Sequence, residues 1–523
     1  MQENSKTNVF KKAWNAIRLE NGREYLLAVQ HLFAMFGATI LVPLLTGMNV
    51  SVALVTAGLG TLLFHIITKG KVPVFLGSSF MFISCVAMYT LDKETNLPTQ
   101  EGVQIAQAGI IFAGLMYFIF SLIAYFVGAD RIKKVFPPVV TGPVIILIGL
   151  GLASTGVNDA SGANAAGFGP TWLCWIIAAV TAGVVILFNV VQFKKNKVLK
   201  IFNIIPILIG IVCGYVLCII LHFCGAVKMD FSGIVNAHWF NVPYYSTDAN
   251  GIQFFSLPSF KNWGAVLSIA IVAIVPFMEH IGDITTNGAV VGKDFFKDPG
   301  LHRTLLGDGA ATLLAGFLGG PCNTTYSENT GVLATTGNYN PNILRWTAVF
   351  AIFLGFFGKF GGFLQTIPVP VRGGIEIILY GMISAIGLRT LAASKVDMTK
   401  FRNIIVVALI LVIGIGIVVN GGINIKFGKD ISMNLSGVFV ATIVGIIVNA
   451  ILPRIKNEVR NMGSEEDIAA AKIAYGETDG EESSAVVETG ETVEGGAADE
   501  LAAGEEEKAS AESASAADEK GNS

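Results

Sequence analysis

The sequence predicts an all-α polytopic membrane protein of fourteen transmembrane segments, arranged as two inverted sets of seven. Three observations predict it. Apolar runs approaching the ~20 residues of a spanning helix recur along most of the chain. Lys and Arg collect in alternate loops, as cytoplasmic loops do. The two segments that break the helical pattern, the third and the tenth, lie seven apart. Composition agrees, since 53% of the 523 residues are apolar and 14% charged, whereas a soluble domain is about a quarter charged.

The long runs begin at 25–47, 50–68, 105–128, 133–154, 171–191, 202–224, 260–282, 343–364, 403–420 and 433–453, with shorter or interrupted ones at 72–90, 305–318, 321–336 and 369–388. With a cytoplasmic N-terminus (Lys6, Lys11, Lys12, Arg18, Arg23), every second loop should be basic. Lys69 and Lys71, Arg131 to Lys134, Lys194 to Lys200, Lys293 to Arg303, Arg345, and Arg389 to Arg402 occupy those loops. The intervening loops hold few: Lys93 alone in 90–104, none in 155–170, and Lys426 with Lys429 in 421–432.

Segments VPVFLGSSFMFI (72–83) and GGPCNTTYSENTGVL (319–333) pass from Pro or Gly into small polar residues and an aromatic. Non-helical backbone at membrane depth survives only when buried in protein or lining a watery cavity. An odd separation of seven makes a repeated second half enter the membrane in the opposite sense, and matching interruptions in two halves point to a transporter's midplane site.

Outside the apolar body, Ser464 to Ser523 carries 18 Asp and Glu against three Lys, and is expected to be a disordered, solvated cytoplasmic tail. The N-terminal segment 1–24 is polar and basic, without the pattern of a cleaved signal. The six cysteines form no CxxC pair, so neither a disulfide framework nor a metal site is expected.

Three carboxylates sit where hydrocarbon tolerates them least: Glu279 and Asp283 at the end of the apolar run 264–278, and Glu328 in the tenth segment. Such residues normally face a protein-lined cavity with a partner or a task. Glu279 and Asp283, four apart, share a helix face. Burial and like charge oppose full ionisation of such a pair, so exchange of a proton is expected there. His280 points about 100° away and reads as a packing or polar contact. Thr325, Tyr326, Ser327 and Asn329 surround Glu328 with hydrogen-bonding groups suited to a small, flat, polar molecule. Phe80 and Tyr326 offer faces on which a planar base could stack. In the first segment, Gln30 and His31 precede a face containing Gly37 and Ala38, where small residues allow close approach.

The run Glu328-Asn329-Thr330-Gly331-Val332-Leu333-Ala334-Thr335-Thr336-Gly337 resembles the signature of the nucleobase-ascorbate transporter family, the uracil and xanthine permeases. Gln30-His31, Gly77-Ser78-Ser79-Phe80 and Glu279-His280-Ile281-Gly282-Asp283 resemble it in the expected order, over residues 20–455. The resemblance implies short antiparallel strands in segments three and ten. It also implies a core domain (segments 1–4 and 8–11, about 25–128 and 260–364) and a gate domain (segments 5–7 and 12–14, about 133–224 and 369–453). Its substrate site would comprise Ala38, Phe80, Glu279, Tyr326, Ser327 and Glu328. The glutamates would accept from ring N–H groups, and amides near Tyr326 and Ser327 would meet ring carbonyls. Asp283 and Glu279 would govern proton coupling and selectivity, supported by Gln30, His31, Asn329 and Thr325.

Glu328-Asn329 with the flanking NTTY resembles bacterial uracil permeases, whereas Asp283 stands where the uracil pattern has His and xanthine carriers commonly have Asp. The expectation is uptake of uracil with H⁺ across the cytoplasmic membrane, by a homodimer joined through its gate domains, with both termini cytoplasmic. A xanthine or urate symporter is the alternative, and an anion transporter or channel of the same architecture is more remote. An anion carrier should show a basic site. No catalytic spacing, metal, organic cofactor or nucleic-acid partner is expected.

Overall fold

The computed structural model describes residue 19 and residues 21–92, 95, 97–165, 167–191, 205–240, 256–427 and 431–452. The acidic tail 464–523, and all of the N-terminal segment 1–24 before residue 21 except residue 19, lie outside the described residues.

In chain order the elements are α1 (Gly22–Thr46), α2 (Val50–Ile67), β1 (Leu76–Ser78), a 3₁₀ turn (Phe80–Phe82), α3 (Ile83–Thr90), α4 (Gln100–Val127), α5 (Ala129–Val135), α6 (Pro138–Ser161), α7 (Thr171–Val190), α8 (Pro206–Phe223) and α9 (Ser232–Asn236). There follow α10 (Trp263–Ile271), α11 (Ile274–Val291), α12 (Leu301–Leu318), β2 (Asn323–Thr325), α13 (Ser327–Thr336), α14 (Pro341–Phe356), α15 (Gly358–Gln365), α16 (Val369–Ala393), α17 (Phe401–Val419), β3 (Ile423–Phe427), β4 (Ile431–Leu435) and α18 (Gly437–Ile451). Among the described residues, nine helical stretches are long and apolar enough to cross a membrane, counting α10 and α11 as one. Their outward faces are apolar, with Phe126, Val190, Phe223 and Val419 exposed. Such faces suit lipid. The molecule is therefore a mostly helical, multi-pass membrane protein.

Local chemistry sets the element ends. Asn49, Thr99, Asn262 and Ser436 accept backbone N–H groups at the starts of α2, α4, α10 and α18, satisfying donors that have no partner inside the helix. Pro138, Pro206 and Pro341 open α6, α8 and α14, where a missing N–H costs nothing.

Three runs divide differently from the sequence expectation. Run 260–282 breaks between α10 and α11 and then continues to Val291. Pro276 has no N–H to offer the carbonyl of Val272, which takes the Val275 N–H instead at 2.9 Å. Glu279 and Asp283 consequently lie inside a helix, not at the end of one. Run 343–364 breaks at Phe357, where the N–H of Gly358 donates to the carbonyl of Trp239 at 3.0 Å. The last run starts as a strand, because 423–427 and 431–435 pair as an antiparallel hairpin.

The helices pack in two groups. In one, α2 lies against α12 and α14, α12 against α4, and α1 against α14; in the other, α6 lies along α16, with α7, α8, α17 and α18 around them. Lipid tails give helices no hydrophobic reason to associate, so close packing and buried hydrogen bonds carry the assembly. All six cysteines are free thiols.

Candidate functional site

β1 and β2 pair antiparallel, with Leu76 opposite Thr325, Gly77 opposite Thr324 and Ser78 opposite Asn323. The ladder continues outward as Ser79 N–H donates to Cys322 (2.8 Å) and Tyr326 N–H to Phe75 (3.0 Å). A two-stranded ribbon still has two unpaired edges, which lipid cannot satisfy. Two threonines from neighbouring helices solve this in the same way. Thr61 of α2 accepts the N–H of Leu76 at 2.9 Å and donates to its carbonyl at 3.3 Å. Thr312 of α12 accepts the N–H of Asn323 at 3.2 Å and donates to its carbonyl at 2.9 Å. Gly77 is glycine for want of room: a Cβ there would sit 2.5 Å from the Tyr326 ring and 2.7 Å from Thr39 Oγ1.

Beside the ribbon, α11 presents Glu279, Asp283 and Asn287, each four residues on. Asn287 Nδ2 donates to the carbonyl of Pro73 at 3.0 Å. Asp283 accepts from Thr325 Oγ1 at 2.8 Å and from Ser327 Oγ. Glu279 keeps Oε2 buried without a hydrogen-bond partner and lies within electrostatic range of Asp283, Glu328 and Asp308. Glu328 occupies the first turn of α13, where the helix dipole favours a negative charge. The extended stretch is shorter than the sequence suggested and ends before Glu328.

Ala38, Phe80 and Tyr326 belong to one buried apolar cluster. The Tyr326 hydroxyl donates to the carbonyl of Ser78 at 2.8 Å and accepts from Thr39 Oγ1 at 3.3 Å, so its ring is fixed. Its backbone N–H, expected to meet a substrate carbonyl, is instead committed to Phe75.

Gln30, His31 and Asn329 are set back from this centre. His31 precedes Ala38 by seven residues, about 10 Å along α1. Asn329 Nδ2 bonds the carbonyl of His31 at 3.0 Å and its Nδ1 at 3.2 Å, tying α1 to α13. Gln30 keeps Nε2 buried and unpartnered.

The family model described as Permease family (Xan_ur_permease) matches residues 22–423. The chain belongs to the nucleobase-ascorbate transporter family. It is 42% identical over 438 residues to a probable uracil permease of Pasteurella multocida, covering 84% of this chain and 95% of that protein. It is 41% identical to the uracil permease of Bacillus caldolyticus (85% and 95% covered) and 39% identical to that of Escherichia coli K12 (80% and 89% covered). Among solved structures, the transmembrane domain of the cyanobacterial bicarbonate transporter BicA superposes with TM-score 0.53 at 13% identity, covering 83% of this chain and 98% of that one. The murine anion transporter Slc26a9 superposes with TM-score 0.57 at 11% identity, covering 85% and 71%. At such identities the likeness is one of fold.

The permease is a transporter rather than an enzyme, and the polar contact expected of His280 has a partner that sequence reading overlooked, Asp308. His280 Nδ1 lies 2.8 Å from Asp308 Oδ2 and Nε2 lies 2.9 Å from Thr304 Oγ1, all fully buried. A proton must sit between the ring nitrogen and the carboxylate, since each otherwise presents a lone pair. The signal was available: Asp308 is the one carboxylate in run 305–318 of the permease, and intramembrane carboxylates rarely lack a role. No group of three or more His, Cys, Asp or Glu able to hold a metal occurs among the described residues.

Proposed function

We propose that this permease is a proton-coupled uracil symporter working by alternating access, with uracil held between Glu279 and Glu328. One observation carries the reading: Glu279, one turn before the Asp283 that bonds Thr325 of the ribbon, and Glu328, in the first turn after the ribbon, come from separate stretches of chain and lie within electrostatic range of each other. Uracil is flat, neutral and bears both N–H donors and carbonyl acceptors. In a site that excludes water, a carboxylate satisfies donors that would otherwise be stranded. Phe80 and Tyr326 supply the wall for its faces, and the Ser327 amide is assigned to a ring carbonyl, because that of Tyr326 is taken. The names of the relatives at about 40% identity support uracil.

The coupling ion is H⁺ in this reading. Asp283 is satisfied as a carboxylate by the hydroxyls of Thr325 and Ser327. Glu279 has an oxygen with no donor, so the coupling proton is assigned to Glu279 and Asp283 to holding the clamp together. A proton taken up with substrate keeps the loaded site nearer neutrality as it changes exposure.

The proposed architecture is fourteen segments in two inverted sevens, a core (25–128 and 260–364) rocking against a gate (133–224 and 369–453). The matched threonine clamps of Thr61 and Thr312 support the repeat, as does the packing of α6 along α16, the fifth and twelfth segments. Location in the cytoplasmic membrane, cytoplasmic termini and a dimer through the gate complete the proposal, the termini resting on the basic loops. The BicA-like fold also serves anion carriers, but carboxylates at the ribbon would repel an anion.

The test is uptake of labelled uracil into proteoliposomes under an imposed pH gradient, with xanthine and urate as competitors because Asp283 stands where xanthine carriers commonly have Asp. Uracil should accumulate with the proton gradient. Accumulation of xanthine without uracil would overturn the substrate, and dependence on sodium alone would overturn the coupling.

A further inference from the structure

A second set of buried charges lies away from the ribbon, where α6 meets α16. The two helices approach closely enough that a Cβ on Gly373 would fall 2.1 Å from the backbone nitrogen of Ala160. Glu376, one turn on from Arg372, is fully buried, and neither carboxylate oxygen has a hydrogen-bond partner. A Cβ on Gly156, three residues before Asp159 on α6, would lie 3.3 Å from Glu376 Cβ, so the Asp159 carboxyl, itself an acceptor, comes alongside that of Glu376. Asp159 has a donor and a counter-charge of its own: Asn164 Nδ2 donates to Oδ1 at 2.7 Å, and the Arg372 guanidinium forms an ion pair at 3.3 Å from Oδ2.

Two carboxylates and one guanidinium leave an excess negative charge in a place where an uncompensated charge is costly. Two carboxyl oxygens can bond each other only with a proton between them. The guanidinium and the Asn164 amide face Asp159 and neither faces Glu376, so the proton belongs on Glu376, donated toward Asp159. The other titratable groups nearby do not compensate it. Tyr380, one turn on in α16, keeps its hydroxyl unpartnered. Cys174 of α7 packs at Gly162, and Tyr215 of α8 bonds Thr366 at 2.8 Å, with Cys218 buried beside it.

This pair has a route to solvent. Asp159, Arg372 and Asn164 line a cavity of about 630 Å³, bounded also by Leu91, Leu97 and Pro98. Its mouth lies among the loops poor in Lys and Arg.

We propose that Glu376 is a second proton-binding site of the permease, loaded through Asp159 from this cavity. One proton passes from cavity water to the Asp159 carboxylate and on to Glu376, and no other bond changes. The assignment requires neither uracil as substrate nor a proton on Glu279.

Infrared difference spectroscopy on the full-length protein in lipid tests it through the C=O stretch of protonated carboxylic acids. Wild type minus Glu376→Gln should show one protonated carboxyl band at neutral pH. That band should shift in D₂O, disappear as pH is raised, and move in Asp159→Asn, which changes the acceptor. Should Glu376→Gln fail to fold, wild type against Asp159→Asn gives the same reading through the moved band. Absence of a band sensitive to either substitution would overturn the proposal, because Glu376 would then be ionised. So would a band unmoved by D₂O and by pH, which would mark a sealed packing group.

Discussion

Asp283 accepts a hydrogen bond from Thr325 Oγ1 at 2.8 Å, and through it the helix that carries Glu279 is fastened to the strand that leads into Glu328. The two proposed substrate carboxylates are therefore positioned by a third that need not touch substrate. Asp283→Ala leaves the Thr325 and Ser327 hydroxyls without their acceptor and should destabilise the protein by about 1–3 kcal/mol. Thermal unfolding in detergent measures this. Asp283→Asn, which keeps an acceptor oxygen, should lose less, and equal losses would argue against a positioning role.

Gly77 should tolerate no side chain. The Cβ of Gly77→Ala would meet the fixed Tyr326 ring at 2.5 Å, and overpacking of this kind costs about 1–3 kcal/mol. Because the ring borders the proposed site, uracil affinity should fall together with thermal stability. Full affinity in a stable Gly77→Ala protein would show that Tyr326 is not held as described.

The paired threonines should behave alike. Thr61→Val and Thr312→Val each strand one backbone N–H and one carbonyl in a buried ribbon, so each should cost about 1–3 kcal/mol. Comparable unfolding shifts support two equivalent clamps. A loss in one variant alone would break the pseudo-symmetry.

The ribbon segments were legible because Gly, Pro and small polar residues interrupt long apolar runs only where backbone finds protein partners. The course of α11 was not legible. Its middle, Glu279 to Asn287, reads as polar, and His280 and Asp283 within it are buried because partners at Thr304, Asp308, Thr325 and Ser327 arrive from some 20 to 45 residues away. Asp308 and Glu376 were absorbed into apolar runs counted for length alone, although each is a carboxylate in such a run. Tyr326 was read as a stacking face, while its hydroxyl and amide commitments depend on Thr39, Ser78 and Phe75 and could not be read from spacing. The hairpin at 423–435 divides in the sequence between the loop 421–432 and the start of the last apolar run, because INIKF and ISMNL are short and lie beside a helix.

Calorimetric titration of uracil into the purified permease tests the central claim most directly, with wild type, Glu279→Gln and Glu328→Gln compared. A charge-assisted hydrogen bond is worth about 1.5–3 kcal/mol, so Glu328→Gln should bind about 10- to 150-fold more weakly, whereas Glu279→Gln, whose amide stands in for the protonated acid of the loaded site, should lose less. Wild-type affinity for uracil in both folded variants would contradict the clamp.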